Sequence, residues 1–131
     1  MLNESLRYQK LWLAIGWLMI IAVWILYLMP SPPDVDIGID FLDKIVHFAT
    51  YAILMGWFIQ LYAAKNTRLL FALGFIFMGM AIEFLQGLGG ERMFEAADIV
   101  ANSLGVILIA SIMHTRVNKI LATFEQRFLS R

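Results

Sequence analysis

The sequence contains no cysteine and few charged residues. Without cysteine the chain has neither disulfides nor thiolate chemistry, although this absence does not identify its compartment. Only 15% of the residues are charged, against about 25% in soluble domains. Hydrophobic residues make up 61% of the chain. This composition predicts an integral membrane protein.

The sequence also lacks a basic cluster, an internal repeat and a histidine-rich spacing. With zero formal net charge, nucleic acid is not an expected partner. The only histidines are His47 and His114, and protein zinc usually takes several His or Cys ligands. We therefore predict no metal and no cofactor. A metal site remains an alternative, because the carboxylates of Asp43, Glu83 and Asp98 are also possible ligands.

Four long apolar stretches are separated by short polar connections. At about 1.5 Å per residue, stretches of this length cross a hydrocarbon core of about 30 Å. The first stretch is too long for a signal peptide and has no cleavage site of small residues. The short connections favour antiparallel neighbours. We predict an all-α bundle of four transmembrane helices in one domain, 1–131, with helices at about 11–29, 45–64, 69–88 and 96–113.

Basic residues are distributed unevenly between the two ends of the predicted bundle. Eight lie on the side of the termini: Arg7, Lys10, Lys65, Arg68, Arg116, Lys119, Arg127 and Arg131. Two, Lys44 and Arg92, lie on the other side. Because cytoplasmic loops carry the excess of Lys and Arg, we expect both termini in the cytoplasm.

The tail at 116–131 has apolar residues at helical spacing. They are Val117, Ile120, Leu121, Phe124 and Phe128. This spacing predicts an amphipathic helix lying on the inner leaflet. The alternative is a plain cytoplasmic extension of the fourth helix.

Polar side chains lie near the outer ends of the second, third and fourth predicted helices. They are Asp43, His47 and Tyr51 on the second, Glu83 on the third, and Asp98 and Asn102 on the fourth. Spacings of four residues place side chains on the same side of a helix. Ionisable groups at membrane depth are costly and indicate function by default. We expect three helices to bring these residues into one shallow, outward-facing polar pocket.

The residue types in this layer favour proton transfer and anion binding. His47, Glu83 and Asp98 are candidate catalytic residues, because imidazole exchanges protons near neutral pH and a buried carboxylate must be paired or protonated. Arg92 and Lys44 are candidates for holding an anionic group, since the planar fork of arginine binds two oxygens. The remaining candidate binding residues are Asp43, Tyr51, Gln86 and Asn102.

A structural role is the alternative for each of these residues. His47 is also suited to hydrogen bonding a carboxylate that fixes helix packing. An acidic Asp98 in the first turn would stabilise the helix dipole. The sequence therefore leaves open whether the protein is an enzyme or a non-enzymatic structural or accessory subunit. A transporter is disfavoured, because the inner half of the helices lacks polar residues apart from Gln60.

The ordered polar residues resemble those of the VanZ-like family of small bacterial membrane proteins. The resemblance rests on DKIVHFATY at 43–51, Glu83-x-x-Gln86, Arg92 and Asp98-x-x-x-Asn102-x-x-Gly105, and on the proline-rich loop after the first helix. It covers about 24–110. The sequence departs from the family at 87–91, where GLGGE replaces a proline-containing turn.

This resemblance implies a multi-pass protein of the bacterial cytoplasmic membrane that acts in the cell envelope. The family is named for a protein associated with teicoplanin resistance, so a link to glycopeptide resistance is implied. We expect the outward-facing pocket to engage a membrane lipid headgroup or a lipid-linked envelope precursor.

Overall fold

The computed structural model describes residues 2–29, 42–89 and 94–129. Within these ranges the chain forms four long helices, α1 (Gln9–Leu28), α2 (Leu42–Leu61), α3 (Lys65–Gly89) and α4 (Ala96–Ser111). A 3-10 turn (Arg116–Lys119), a short helix α5 (Ile120–Phe124) and a π-helical turn (Glu125–Leu129) follow. The prediction of an all-α membrane bundle is confirmed.

The fourth helix is shorter than the sequence predicted. Helices α1, α2 and α3 are each long and apolar enough to cross a membrane. Helix α4 has 16 residues, or about 24 Å, which is less than a hydrocarbon core of about 30 Å. Between α4 and Arg116–Leu129 the chain bends by 82°. The side chain of Thr115 caps the 3-10 turn that begins at Arg116 by accepting a hydrogen bond from the N–H of Val117. The described chain therefore has three helices that are long and apolar enough to span a membrane, or four spans if α4 and the bent segment count as one.

Helix α3 begins four residues before its apolar run. The residues expected to form a basic loop, Lys65 to Arg68, are its first turn. Arg68 is buried, and it donates hydrogen bonds to the carbonyl oxygens of Tyr62, at 2.6 Å, and Met113, at 3.0 Å. Backbone carbonyls near helix ends need such donors. The apolar pattern located the span but not the start of the helix.

Helix α2 is the centre of the bundle and packs on α1, α3 and α4. Its buried face includes Tyr51, Leu54, Met55, Phe58 and Ile59. In contrast, α1 leaves large apolar side chains exposed along much of its length, among them Leu18, Ile21, Ile25 and Leu26. Such a surface suits lipid rather than water. The arrangement places the side of α2 that carries His47 and Tyr51 against α3 and α4.

Small residues set how closely α4 approaches α2. Ala101 and Gly105 are buried, whereas Ala97 is exposed. A Cβ atom at Gly105 would collide with the backbone carbonyl of Phe48 and lie 3.1 Å from the amide nitrogen of Ala52. Close backbone approach of this kind is how small residues support packing of membrane helices.

The two termini meet at the same end of the bundle. The carboxylate of Glu125 accepts the backbone N–H groups of Arg7, at 2.6 Å, and Tyr8, at 2.9 Å, and the indole N–H of Trp12, at 2.5 Å. Leu2 forms a β-bridge with Tyr62 just beyond the end of α2. The cytoplasmic location of this end stays a prediction from the distribution of basic residues.

The tail folds back onto the bundle and does not extend α4. Leu121 and Ala122 are buried, and the Leu121 N–H donates to the side-chain oxygen of Gln60 at 2.7 Å. Ile120, Phe124 and Phe128 remain 56%, 42% and 63% exposed. The exposed apolar side is compatible with the predicted contact with a membrane leaflet. That contact remains a prediction.

Candidate functional site

Lys44 connects three carboxylates at the end of the bundle opposite the termini. Its ammonium nitrogen lies 2.5 Å from Glu95, 2.5 Å from Asp98 and 3.1 Å from Asp43. The Asp98 side chain is 5% exposed, whereas those of Asp43 and Glu95 are about half exposed. The cluster therefore extends from the surface to a buried carboxylate. It joins the start of α2 to the start of α4.

The imidazole of His47 lies at the buried end of this cluster. Its Nδ1 atom is 3.2 Å from the side-chain oxygen of Asn102. Its Nε2 atom faces the carboxylates of Asp43, at 3.5 Å, and Asp98, at 3.6 Å. The ring of Tyr27 meets the imidazole edge to face, with centroids 4.7 Å apart. His47 is therefore fixed in position by α1 and α4.

Glu83 joins the end of α3 to the start of α4. It is 1% exposed, and its carboxylate accepts the backbone N–H of Glu95 at 2.7 Å. Glu95 is the residue immediately before α4, where backbone N–H groups have no partner within the helix. A negative charge there also suits the positive end of the helix dipole. The geometry therefore supplies Glu83 with a structural role.

Helix α1 contributes Tyr27, which the sequence analysis did not place in the site. Its carbonyl oxygen accepts a hydrogen bond from Gln86 at 2.6 Å, and its hydroxyl donates to Thr50 at 3.2 Å. Tyrosine near the end of an apolar run is typical of an interfacial anchor. The sequence pattern therefore did not indicate that Tyr27 also contacts residues of the site, because those contacts depend on where α1 packs.

Tyr51 lies one turn deeper than His47 on α2 and is fully buried. Its hydroxyl has no hydrogen-bond partner within 2–29, 42–89 and 94–129. Gly79 lets α3 pack closely against Tyr51 and Asn102, because a Cβ at this position would lie 3.1 Å from the Asn102 side chain and 3.4 Å from the Tyr51 ring. A buried hydroxyl of this kind is expected to have a partner, which makes it a candidate contact for a ligand.

The structure places the described candidate residues at one end of the bundle. They are Asp43, Lys44, His47, Tyr51, Glu83, Gln86, Asp98 and Asn102. Arg92 lies outside the described residues. Sequence reasoning did not assign Tyr27, Gly79 or Glu95 to the site. This grouping at one end of the bundle agrees with the prediction from helix spacing and antiparallel order.

A family model described as VanZ/LLP1 matches residues 6–117. The chain belongs to the VanZ/LLP1 family. The matched region includes all four long helices and every residue named in the site. No curated protein and no solved structure matches the chain. The VanZ/LLP1 assignment, together with the long apolar helices, makes the chain a member of a family of membrane proteins.

Negative charge predominates in the described part of this VanZ/LLP1 site. Four carboxyl groups, those of Asp43, Glu83, Glu95 and Asp98, accompany the single ammonium group of Lys44. Carboxylates already surround that ammonium. An anion bound at the described residues would therefore need a further cation, because uncompensated charge at low polarity is costly.

A second polar group lies at the end where the termini meet. It includes Gln60, Arg68 and Glu125, and the hydrogen bonds of each go mainly to backbone groups of neighbouring segments. Sequence reasoning did not detect this group, apart from Gln60, because its members are far apart in the chain. Their side chains supply hydrogen-bond partners for backbone N–H and C=O groups at the ends of the segments.

Proposed function

We propose that the polar layer at the start of α2, the end of α3 and the start of α4 binds a lipid headgroup. The ligand would be a membrane lipid or a lipid-linked precursor of the cell envelope. The observation that carries this proposal is the buried contact of His47 and Asp98 within a cluster that reaches the surface at Asp43 and Glu95. Buried ionisable groups in membrane proteins commonly belong to functional sites.

The proposal places this layer on the outer face of the bacterial cytoplasmic membrane. Its support is the excess of basic residues towards the termini, together with the meeting of the N-terminal segment and the tail at one end. By the positive-inside rule, that end is cytoplasmic. The polar layer would then face the compartment in which envelope precursors are used.

Proton transfer is part of the proposal for His47 and Asp98. A hydrogen bond between Nδ1 and Asn102 would leave Nε2 directed at the carboxylates, where it is suited to exchange a proton with a bound group. Glu83 is the third candidate. Arg92, which lies between α3 and α4 in the sequence, would supply positive charge for a phosphate.

A non-enzymatic structural role is the second candidate function. Glu83 accepts a backbone N–H, and Gln86 donates to a backbone carbonyl. These contacts join helices without any ligand. If the polar layer has only this structural role, replacing its polar residues should lower the thermal stability of the protein and have no separate effect on function.

The two candidates are separated by the variants Glu83→Gln and Asp98→Asn. We expect both to reach normal membrane levels, to keep most of their thermal stability in detergent and to lose the protein's contribution to teicoplanin resistance. The host is a strain in which the parent protein alters susceptibility. Glu4→Gln, which changes an exposed carboxylate at the opposite end, is the matched control. Unchanged susceptibility in both site variants would refute the site assignment, and loss of stability matching the loss of function would favour the structural role.

A further inference from the structure

We propose that Asp43, His47 and Asp98 bind a divalent transition-metal ion, Mn²⁺ or Zn²⁺. The inference deepens the proposed headgroup binding and rests on it for the use of the ion, since a bound cation would bridge an acidic site to a phosphate-bearing headgroup. With the ion bound, His47 and Asp98 act as ligands, and Glu83 is the remaining candidate for proton transfer. Ion binding itself can be measured without any lipid. The three residues each offer one ligand atom, and these atoms lie within 4.8 Å of one another.

The spacing of the ligand atoms fits a shared ion better than direct hydrogen bonds. The His47 Nε2 atom lies 3.5 Å from an Asp43 oxygen and 3.6 Å from an Asp98 oxygen. A nitrogen–oxygen hydrogen bond is usually about 2.7–3.2 Å long. Ligands about 2.1 Å from a tetrahedral ion lie about 3.4 Å apart. The two nitrogen–oxygen separations therefore match a shared ion closely. The two carboxylate oxygens lie within 4.8 Å of each other, so any approach that they need is at most about 1.4 Å.

The surroundings of His47 orient the imidazole for metal binding. The ring is 2% exposed, and its Nδ1 atom contacts the side-chain oxygen of Asn102. If Nδ1 carries the proton, this hydrogen bond leaves the Nε2 lone pair directed at the carboxylates. Metal-bound histidines usually have such a second hydrogen bond, which fixes the tautomer and the ring orientation. Asn102 is thus assigned as a positioning residue.

The charge of the cluster supports a divalent cation. Lys44 supplies one positive charge to Asp43, Glu95 and Asp98, so these four groups have a net charge of about −2 when ionised. A divalent ion would neutralise this excess. Lys44 contacts Asp43 Oδ2 and Asp98 Oδ1, whereas the oxygens that face His47 are Asp43 Oδ1 and Asp98 Oδ2. The ion and Lys44 would therefore use different oxygens of the same carboxylates, and Lys44 opposes the ion through its positive charge.

The donor set determines the class of ion and leaves room for a ligand. Imidazole favours Zn²⁺ and similar transition ions, whereas carboxylates suit Mn²⁺ and harder cations. A mixed set is compatible with Zn²⁺ or Mn²⁺. Three protein ligands leave at least one coordination position open, and a phosphate oxygen of a headgroup would fill it.

Metal binding is tested with untagged protein in detergent, stripped by a chelator and titrated with Zn²⁺ and with Mn²⁺. We expect one ion per chain in calorimetry or equilibrium dialysis. His47→Gln and Asp98→Asn should each lower the affinity at least about 100-fold, because removing a ligand costs more than the 10–100-fold typical of its hydrogen-bond partner. His114→Gln changes the only other histidine and should bind as wild type does. Binding that is absent from wild type, or that persists in both site variants, overturns the proposal.

Two further variants keep the test decisive if His47→Gln does not fold. Asn102→Ala should weaken binding about 10- to 100-fold while keeping the one-to-one ratio. Lys44→Met, which removes the neighbouring ammonium charge, should strengthen binding at least about threefold, since that charge opposes the ion. Equal affinity in wild type, Asn102→Ala and Lys44→Met would contradict the arrangement.

Failure of this inference is distinguishable from failure of the proposed function. If wild type binds no ion but Glu83→Gln and Asp98→Asn lose resistance, the metal site is refuted and the proposed function stands. If the ion binds through His47 and Asp98 but neither variant alters resistance, the metal site stands and the proposed function is refuted.

Discussion

Replacing Gly105 by alanine is expected to lower the thermal stability of the protein markedly and to open the polar layer. The new Cβ would collide with the Phe48 carbonyl and press on the Ala52 amide. Both obstacles are backbone atoms of α2, so α4 must move away as a unit. Overpacking of this kind typically costs about 1–3 kcal/mol, and occasionally more. Thermal unfolding in detergent, followed by circular dichroism, measures the loss.

Gly74→Ala is the matched control for Gly105→Ala. It makes the same substitution in α3, where a Cβ would meet no atom within 4 Å among the described residues. We expect its melting temperature to be unchanged or slightly higher, because alanine restricts the unfolded chain more than glycine does. Equal melting temperatures for the two variants would contradict the close approach of α2 and α4.

The second large effect is expected from Glu125→Gln. Glu125 is 4% exposed and accepts three hydrogen bonds, from the backbone of Arg7 and Tyr8 and from the indole of Trp12. Hydrogen bonds to a charged group contribute about 1.5–3 kcal/mol each. Glutamine offers one acceptor oxygen in place of two and carries no charge. We expect a loss of at least about 2 kcal/mol at neutral pH, measured by unfolding in detergent.

The effect of Glu125 should also depend on pH. Burial alone would raise the pKa of its carboxyl, but the hydrogen bonds from Trp12, Tyr8 and Arg7 and the charge of Arg7 outweigh burial and hold the pKa below its ordinary value. A carboxyl with a lowered pKa stabilises the fold above its unfolded pKa, about 4.3. This stability is lost as the pH falls through the lower, folded value.

Wild type and Glu125→Gln should therefore differ most at neutral pH and converge as the pH falls below about 4. Glu4→Gln, an exposed change in the same terminal segment, should follow the wild-type curve, because surface substitutions usually alter stability by less than about 0.5 kcal/mol. A constant difference between wild type and Glu125→Gln at all pH values would show that shape, rather than charge, accounts for the loss.

The sequence predicted the parts of the structure that depend on local pattern. Apolar runs located the spans, and the four-residue spacing of Asp43, His47 and Tyr51 placed them on one side of α2. Antiparallel order then brought Asp98 and Asn102 alongside. These inferences needed only helix geometry and membrane thickness.

The rest depended on contacts between distant segments, which no local pattern contains. Glu125 binds the backbone N–H of Arg7, which is 118 residues away in the sequence. Arg68 has the sequence context of a loop cation, but in the structure it donates hydrogen bonds to the carbonyl oxygens of Tyr62 and Met113. Likewise, charge alone did not indicate that Lys44 pairs with Glu95, immediately before α4, and with Asp98 in α4; its role in holding an anion stays a prediction. The charge of a side chain is compatible with several possible partners, so its actual partner can be identified only from the three-dimensional structure.

The central claim is that the polar layer is a binding site and not only a junction between helices. A crystal structure grown from a lipid phase tests this most directly. We predict headgroup density between the ends of α2, α3 and α4, in contact with the cluster around Lys44 and Asp98, and its loss in Asp98→Asn. A layer closed by protein atoms alone, with identical density in both proteins, would contradict the claim.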